Sequence, residues 1–223
     1  MATVTPLVRQ PSRDKILDAA ETLFARRGLA GVGLAEVAEA VDLSKATLFH
    51  HFRSKAQLHA AVMARILEHI EALVLPALGG AGRPADRLDR GIDQLIDALA
   101  DHPTYPRLLL RSLFEDDELT GEMPEEIAAN SAIARIAAAF TVLLKDGITA
   151  GDFHPVSAAH MLQTLIGATV YHFASGEFGE ELIGRPLFSP AEVKRRKDHI
   201  TALIHHGLLA DSRNTRRSRR TPA

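Results

Sequence analysis

The strongest constraint on the fold is a run of three short helical patterns, separated by turn residues, in positions 12–58. Apolar residues recur at helical spacing through residues 16–24, and Gly28 follows them as a helix stop. The second pattern is shorter and ends at Asp42, where the chain must turn tightly. Ser44 then stands where it can cap a third helix. Together these signals predict a small three-helix domain that leads directly into a fourth helix.

The predicted third helix covers residues 45–51 and has two distinct faces. Leu48 and Phe52 are four residues apart, so both are expected to point toward the domain interior. The opposite face presents polar and aromatic side chains: Lys45, Thr47, Phe49, His50 and His51. Two short helices joined by a tight turn, the second with such a face, are typical of a helix-turn-helix that enters the major groove of DNA. The pattern therefore predicts DNA binding.

Three stretches of this region carry a family resemblance: ILDAAETLFARRG, LAEVAEAVDLSKATLFHHF and SKAQL. They resemble the N-terminal DNA-binding domain of the TetR family of bacterial transcriptional regulators, over about the first quarter of the chain. The chain departs from the usual family residues where Asp42 and Ala46 replace Gly, Phe49 replaces Tyr, and Gly33 replaces Thr or Ser. Asp tolerates a left-handed backbone, so we expect the turn to survive. Phe49 and Gly33 lack hydroxyl groups, so two phosphate contacts usual in the family are expected to be missing.

The resemblance and the helix spacing together assign the expected DNA contacts. Lys45 and Thr47, near the start of the recognition helix, are expected to reach base edges. His50 and His51 lie further along and are expected to contact phosphates or bases. Lys55 stands in the first turn of the next helix, where its ammonium group is expected to bind a phosphate. The predicted DNA-binding residues are Ser44, Lys45, Ala46, Thr47, Phe49, His50, His51 and Lys55.

The remainder of the chain is also helical by pattern, which predicts an all-α fold. Ser54 and Gln57 have the form of a capping box and predict a long helix that ends at Leu75, before Pro76. Later helices are expected over residues 85–101, 105–119, from 123 to the glycines at 147 and 151, 155–175 and 190–210. We divide the chain into an N-terminal helix-turn-helix domain at 1–55, a larger helical effector-binding and dimerisation domain at 56–211, and a basic disordered tail at 212–223.

The composition excludes several classes of protein. The chain has no Cys, so disulfides, thiolate metal sites and a cysteine nucleophile are excluded. The sequence has no HExxH, no GxSxG and no Gly-rich phosphate loop. In the adjacent pairs His50–His51 and His205–His206 the two side chains point about 100° apart on a helix, so neither pair is expected to hold a metal ion. We predict that the chain is not an enzyme and uses no metal or other cofactor.

The charge is distributed unevenly, although the net charge is only −2. Residues 1–60 carry eight basic and six acidic side chains, residues 61–211 carry 13 and 22, and residues 212–223 carry five and none. An acidic middle repels DNA, so contact with DNA is expected at the N-terminal domain. No apolar run is expected to reach the roughly 18 residues of a membrane span, and no secretory leader is evident. The sequence thus predicts a cytoplasmic protein, associated with the nucleoid when bound to DNA, without a membrane partner.

The last two long helical patterns carry more apolar positions than one buried face uses. Their stripes consist of Leu162, Ile166, Thr169 and Phe173, and of Val193, Ile200, Leu203, Ile204 and Leu208. In the TetR family the last two helices of each subunit form a four-helix interface, so the resemblance implies a homodimer. The alternative is that these stripes fill the core of a monomer. A dimer holds two recognition helices roughly 34–36 Å apart, as a palindromic DNA site requires.

TetR-like proteins usually bind a small molecule among their C-terminal helices, and the resemblance implies such an effector here. An apolar cavity with a few convergent polar groups suits a small ligand. The candidate lining residues are Tyr105, Arg111, His160, Gln163, Thr164 and Tyr171. We therefore predict a DNA-binding transcriptional regulator, specifically a repressor that leaves a palindromic double-stranded operator when the effector binds. The alternative is a DNA-bound dimeric adaptor whose C-terminal domain docks a protein partner without a small-molecule inducer.

Overall fold

A computed structural model describes residues 13–114 and 121–210 of the chain. Within these residues the fold is helical, with a single isolated β-bridge between Phe153 and Leu209. The predicted all-α class is confirmed, and the predicted basic tail at 212–223 lies outside the described residues. The helices are α1 (Arg13–Arg27), α2 (Leu34–Ala40), α3 (Lys45–His51), α4 (Lys55–Gly79), α5 (Pro84–Asp101), α6 (Thr104–Arg111), α7 (Pro124–Ala150), α8 (Ala158–Ala174), α9 (Gly176–Ile183) and α10 (Pro190–Leu208).

Helices α1 to α3 form the small domain that the sequence predicts. The side chains at its centre are apolar and buried: Ile16, Leu17, Phe24, Leu48 and Phe52. Asp42, in the turn between α2 and α3, has a φ of 55°, which is the left-handed conformation expected of it. The Ser44 hydroxyl accepts a hydrogen bond from the Thr47 N–H at 3.1 Å and caps α3. The left-handed Asp42 and the Ser44 cap together set the direction in which the recognition helix α3 leaves the turn.

Helix α4 leads from the DNA-binding domain into the centre of the molecule. The Ser54 hydroxyl accepts from the Gln57 N–H at 3.0 Å, and the Gln57 side chain accepts from the Arg53 N–H at 2.8 Å. The predicted cap is therefore present, with its second bond shifted by one residue. The prediction that α4 ends at residue 75 is wrong, because the helix continues to Gly79 with Pro76 in its last turn. A proline in the last turn removes one backbone hydrogen bond, because its nitrogen has no hydrogen to donate to the carbonyl four residues before it; burial of Leu78 beyond it offsets that loss.

Helix α7 packs against α4 and α5 and supplies a large part of the core of the C-terminal helices. Phe140, Leu143 and Leu144 are buried there, and Gly151, with a φ of 79°, ends the helix. An 18-residue window of α7 has a mean hydropathy of 1.7, with 28% of it buried. The expectation that no apolar run approaches membrane-span length is wrong for this helix, which by length and composition could cross a membrane. Its packing against α4, α5 and α8 is that of a helix in a folded domain.

Several helix bounds in the C-terminal half differ from the prediction. Helix α6 is shorter than predicted and ends at Arg111, and residues 115–120 lie outside the described part of the chain. Gly176, with a φ of 57°, separates α8 from the short helix α9, which the sequence pattern did not predict. The connection between α7 and α8 is tied to the end of α10, because the His154 N–H donates to the Leu208 carbonyl at 2.8 Å. This contact closes the C-terminal helices into one unit.

Candidate DNA-binding surface and effector domain

Helix α3 carries most of the predicted DNA contacts on the surface of the molecule. The exposed predicted residues on it are Lys45, Ala46, Phe49 and His50. Thr47 is half-buried, and its hydroxyl lies 2.8 Å from the Ser44 hydroxyl. The Lys45 ammonium group lies over the Phe49 ring, 5.6 Å from its centroid, which brings the cation and the aromatic ring to one face. This face combines a positive charge with exposed side chains that do not pack in the domain core.

Two predicted contact residues are engaged with the domain itself. His51 is half-buried: its Nε2 atom is buried and makes no hydrogen bond within the described residues, so this nitrogen is less accessible than helical spacing predicts. His51 is the last residue of α3, where the backbone turns inward to bury Phe52. The Lys55 ammonium group donates to the Leu29 carbonyl at 2.8 Å. Since an ammonium group has three donors, Lys55 retains two while it holds α4 against the loop that follows α1.

The DNA-binding domain is joined to the C-terminal helices by hydrogen bonds to α1. Arg65 on α4 and Thr104 on α6 donate to different oxygens of the Glu21 carboxylate, each at 2.6 Å. At the other end of α6, Arg111 donates to the Phe24 backbone carbonyl at 3.2 Å. Both α4 and α6 are therefore attached to the helix that supports the recognition helix.

The six side chains predicted to line an effector pocket are not brought together. Tyr105 is buried; its hydroxyl lies 3.1 Å from the His69 ring and its own ring stacks on His102. Arg111 reaches α1 instead. The other four lie on the exposed face of α8: His160, Gln163, Thr164 and Tyr171. The described residues therefore do not place all six around one cavity, because residue polarity alone does not distinguish a cavity wall from an outer helix face.

The apolar stripes predicted for the dimer surface are divided between core and surface. The buried members are Thr169, Phe173, Ile200, Ile204 and Leu208. Ile166 on α8 and Leu203 on α10 are exposed, at 44% and 57% of their surface. As expected of helices with more apolar positions than one buried face uses, one side of each packs inside the protomer while other apolar side chains stay exposed. The outer face of α8 keeps Ile166, Gly167 and Tyr171 available.

A buried polar cluster lies between α8 and α10, behind this outer face. His172 is 6% exposed, and its Nε2 atom has no hydrogen-bond partner among residues 13–114 and 121–210. Burial and the neighbouring Arg196 guanidinium lower the pKa of His172 to about 4, against the attraction of buried Glu192. Burial also lowers the pKa of Arg196, whose guanidinium donates to the Ala168 carbonyl. His172 is consequently neutral at physiological pH.

The exposed recognition helix, its capped tight turn and the helical domain attached to α1 define a helix-turn-helix regulator of transcription. The sequence model described as bacterial regulatory proteins, tetR family, matches residues 16–62. The model described as tetracyclin repressor-like, C-terminal domain, matches residues 84–204, more than half of the chain. The chain belongs to the TetR family of bacterial transcriptional regulators, as the resemblance predicted. It is a DNA-binding regulator and not an enzyme.

Similar curated proteins are transcriptional regulators of the same kind. An uncharacterised HTH-type transcriptional regulator of Mycobacterium tuberculosis is 33% identical over 127 residues, which are 57% of this chain and 60% of that protein. The chain thus spans less than two thirds of the length of this relative. The HTH-type transcriptional regulator RutR of Escherichia coli is 28% identical over 201 residues, which are 86% of this chain and 88% of RutR.

Solved structures of the family share the fold over most of the chain. PfmR, a TetR family transcriptional regulator from Thermus thermophilus, superposes with a TM-score of 0.70 at 22% identity, covering 91% of this chain and 100% of that one. AibR, solved in complex with isovaleryl coenzyme A and operator DNA, gives a TM-score of 0.69 at 20% identity, covering 85% and 96%. These likenesses confirm the architecture of an N-terminal helix-turn-helix domain followed by a larger helical domain.

The lowered pKa of His172 predicts a specific loss of stability in acid. The unfolded chain has the ordinary histidine pKa of 6.5 and the folded chain a pKa of about 4, so unfolding takes up a proton between these values. Above about pH 6.5, where His172 is neutral in both states, it does not lower the free energy of unfolding. As the pH falls toward 4, protonation of the unfolded chain lowers that free energy by about 3 kcal/mol at most. Urea unfolding between about pH 7.5 and 4.5 measures this loss.

The matched variants are His172→Gln and His154→Gln, the second at an exposed position in the connection between α7 and α8. The first should flatten the dependence of stability on pH, whereas the second should leave it as in the wild type. Equal pH dependence in all three proteins would contradict the assignment of the acid sensitivity to His172.

Proposed function

We propose that this regulator represses transcription from a palindromic operator and leaves the operator when a small-molecule effector binds its C-terminal helices. The observation that carries the proposal is the attachment of α6 to α1 at two points. Thr104 donates to Glu21 near the start of α6, and Arg111 donates to the Phe24 carbonyl at its end. An effector that favours another position of α6 shifts α1 and therefore the recognition helix. The effector site and the DNA-binding surface are then coupled through α6, because each site favours one of the two positions of this helix, as allostery requires.

Helix α4 provides a second connection between the proposed effector site and DNA. Its first turn is held against the DNA-binding domain by the Lys55 bond to Leu29, and its middle is held by the Arg65 bond to Glu21. A change in the tilt of α4 therefore changes the position of the whole DNA-binding domain. In a dimer such a tilt alters the separation of the two recognition helices, which a palindromic site tolerates poorly.

The relatives support a ligand-responsive repressor. AibR was solved with both a coenzyme A thioester and operator DNA, and KstR of Mycolicibacterium smegmatis is named as a transcriptional repressor. We propose the same kinds of partner for this chain: double-stranded operator DNA, a small-molecule effector and a second copy of the chain. We also propose that it acts in the cytoplasm and is associated with the nucleoid when bound to DNA.

We propose that the operator is contacted by the exposed face of α3 and by the residues that flank it. Lys45 and Thr47 are placed to reach base edges, and His50 is placed to reach a phosphate or a base. Ser44 and Ala46 bring the backbone of the helix N-terminus to the DNA. Phe49, His51 and Lys55 complete the set: Phe49 through its exposed ring, His51 through the accessible part of its half-buried side chain, and Lys55 through the two donors that Leu29 leaves unused.

Selection of bound duplexes from a random library tests the function directly. The selected site should be a palindrome with half-site centres about 10 base pairs apart, or a multiple of that distance. Transcription in vitro from a promoter that overlaps this site should fall when the protein is added, and a compound that stabilises the protein against heat should restore it. Unchanged transcription with the protein bound would contradict repression. If no compound restores transcription and only a second protein does so, the result would favour the adaptor alternative.

Two substitutions in α3 should separate affinity from sequence preference. Phe49→Tyr should tighten binding to all duplexes by roughly 2–10-fold, because the new hydroxyl can donate to a phosphate. Thr47→Ala should change the preferred base at one position of each half-site. Fluorescence anisotropy with the selected duplex and its single-base variants measures both effects. Phe178→Tyr on α9 is the control for the added hydroxyl; if it matches Phe49→Tyr, the predicted phosphate contact does not exist.

We propose that the outer faces of α8 and α10 form the dimer interface, as is typical of the family. Joint replacement of Ile166 and Leu203 by Glu should give monomers, because each charge would be buried without a partner. Ile133→Glu is the matched control, since Ile133 is similarly exposed, at 47%, but lies on α7. Sedimentation velocity measures the oligomeric state. A double variant that remains dimeric would contradict this choice of surface.

A further inference from the structure

We propose that the cleft between α6 and the α8–α9 junction binds an amphiphile with an anionic head group, and that the bound ligand withdraws Arg111 from α1. The first part concerns binding alone. The second part rests on the proposed function, because it supplies the step by which an effector would change DNA affinity.

The cleft has a volume of about 320 Å³ and two chemically different walls. Helix α6 contributes Arg107, Leu110 and Arg111, which follow one another along one face of that helix. The end of α8 and the start of α9 contribute the opposite wall, which includes Ser175 and Phe178. The cleft therefore offers guanidinium groups to a charged group and the Phe178 ring to an apolar chain.

The charged end of the cleft is suited to an anion. Arg107 is exposed and makes no hydrogen bond or ion pair with another described residue. The acceptor for Arg111 is the Phe24 carbonyl, which is neutral. Glu177 also lines the cleft and offsets one of the two positive charges, so the described lining residues carry a net positive charge. Guanidinium groups bind carboxylates and phosphates through paired donors, so two of them on adjacent turns favour an anionic head group.

The apolar end of the cleft lies among exposed hydrophobic side chains. Phe178 is 60% exposed, and Leu182 one turn further along α9 is 75% exposed. The chain leaves α6 through Leu113 and Phe114, which are 69% and 78% exposed. Exposed apolar side chains that lie next to one another, as Phe178 and Leu182 do one turn apart, are typical of a binding surface. A flexible apolar tail attached to the bound anion would cover Phe178, which makes an amphiphile the ligand class that fits both ends.

The position of Arg111 links this cleft to DNA. The Phe24 carbonyl also accepts from the Gly28 N–H at 2.8 Å, so it remains hydrogen-bonded when Arg111 leaves. A bond from Arg111 to an anionic ligand is stronger than its bond to a neutral carbonyl, because both partners are then charged. The ligand therefore favours the state in which α6 is detached from the end of α1. By reciprocity, a DNA-bound state that keeps this contact lowers the affinity for the ligand.

The binding step is tested with a single fluorescent reporter, because the chain has no Trp. Phe178→Trp places the reporter in the cleft, and Ile133→Trp on α7 is the control. Decanoate should shift the emission of the first protein saturably and leave the second unchanged, while decanol and decyltrimethylammonium should bind at least tenfold more weakly. Arg107→Gln and Arg111→Gln, each combined with the reporter, should weaken decanoate binding by roughly tenfold or more. No response, or an equal response to decanol, overturns the proposal.

The coupling step is tested with the selected duplex. Decanoate should lower the DNA affinity of the wild type, and Arg107→Gln should show the same loss at higher decanoate concentration. Arg111→Gln should bind DNA with an affinity that decanoate no longer changes, and Arg111→Lys should restore part of the response. Binding of decanoate in the cleft without any change in DNA affinity overturns the coupling. Failure of the wild type to prefer any duplex overturns the proposed function, whereas the fluorescence titration still decides the cleft.

Discussion

The carboxylate of Glu21 is the contact on which the relative position of the two halves of the molecule depends. Its two oxygens accept from Arg65 on α4 and Thr104 on α6, and the side chain is only 14% exposed. Arg65 also binds Asp18, but that carboxylate is 70% exposed, so the surrounding water weakens the pair. Removing either partner of Glu21 leaves a largely buried negative charge less well compensated, which costs more than an exposed ion pair gains. Helices α1, α4 and α6 are therefore held in one arrangement.

The apolar core reinforces this arrangement because it does not stop at the domain boundary. One continuous cluster of buried side chains extends from Ile16 in α1, through Ile66 in α4, to Leu208 at the end of α10. Protein interiors are packed too densely to absorb a displacement locally, so a shift of α6 is passed on to the helices that it contacts. The DNA-binding domain is small and has few residues of its own to resist such a shift. Its orientation consequently follows α4 and α6.

The sequence predicted the DNA-binding domain more closely than the rest, because the signals there are local. Asp42 adopts the left-handed turn and Ser44 caps α3 through interactions within three residues of each. The burial of the His51 Nε2 atom was missed, since the surroundings of the last residue of a helix depend on the chain that follows. The end of α6 at Arg111 was missed as well: the predicted helix ran to residue 119 across the acidic residues 115–118, whereas α6 ends at Arg111, which bonds to α1. The sequence also did not predict that the six candidate effector residues lie apart, because polarity carries no information on which face of a helix is covered.

Helix α8 illustrates why periodicity alone cannot separate a core from an interface. Ile166 and Thr169 are one turn apart on the same helix, yet Ile166 is exposed and Thr169 is buried with its hydroxyl bonded to the Leu165 carbonyl. A buried threonine satisfied by its own helix is as compatible with the core as an aliphatic side chain. The same helix has two further roles in the proposed mechanism, since its outer face meets the partner and its end forms one wall of the anion cleft. An effector at that end would therefore act on α1 through Arg111 and on the partner through α8, so that both determinants of the distance between recognition helices change together.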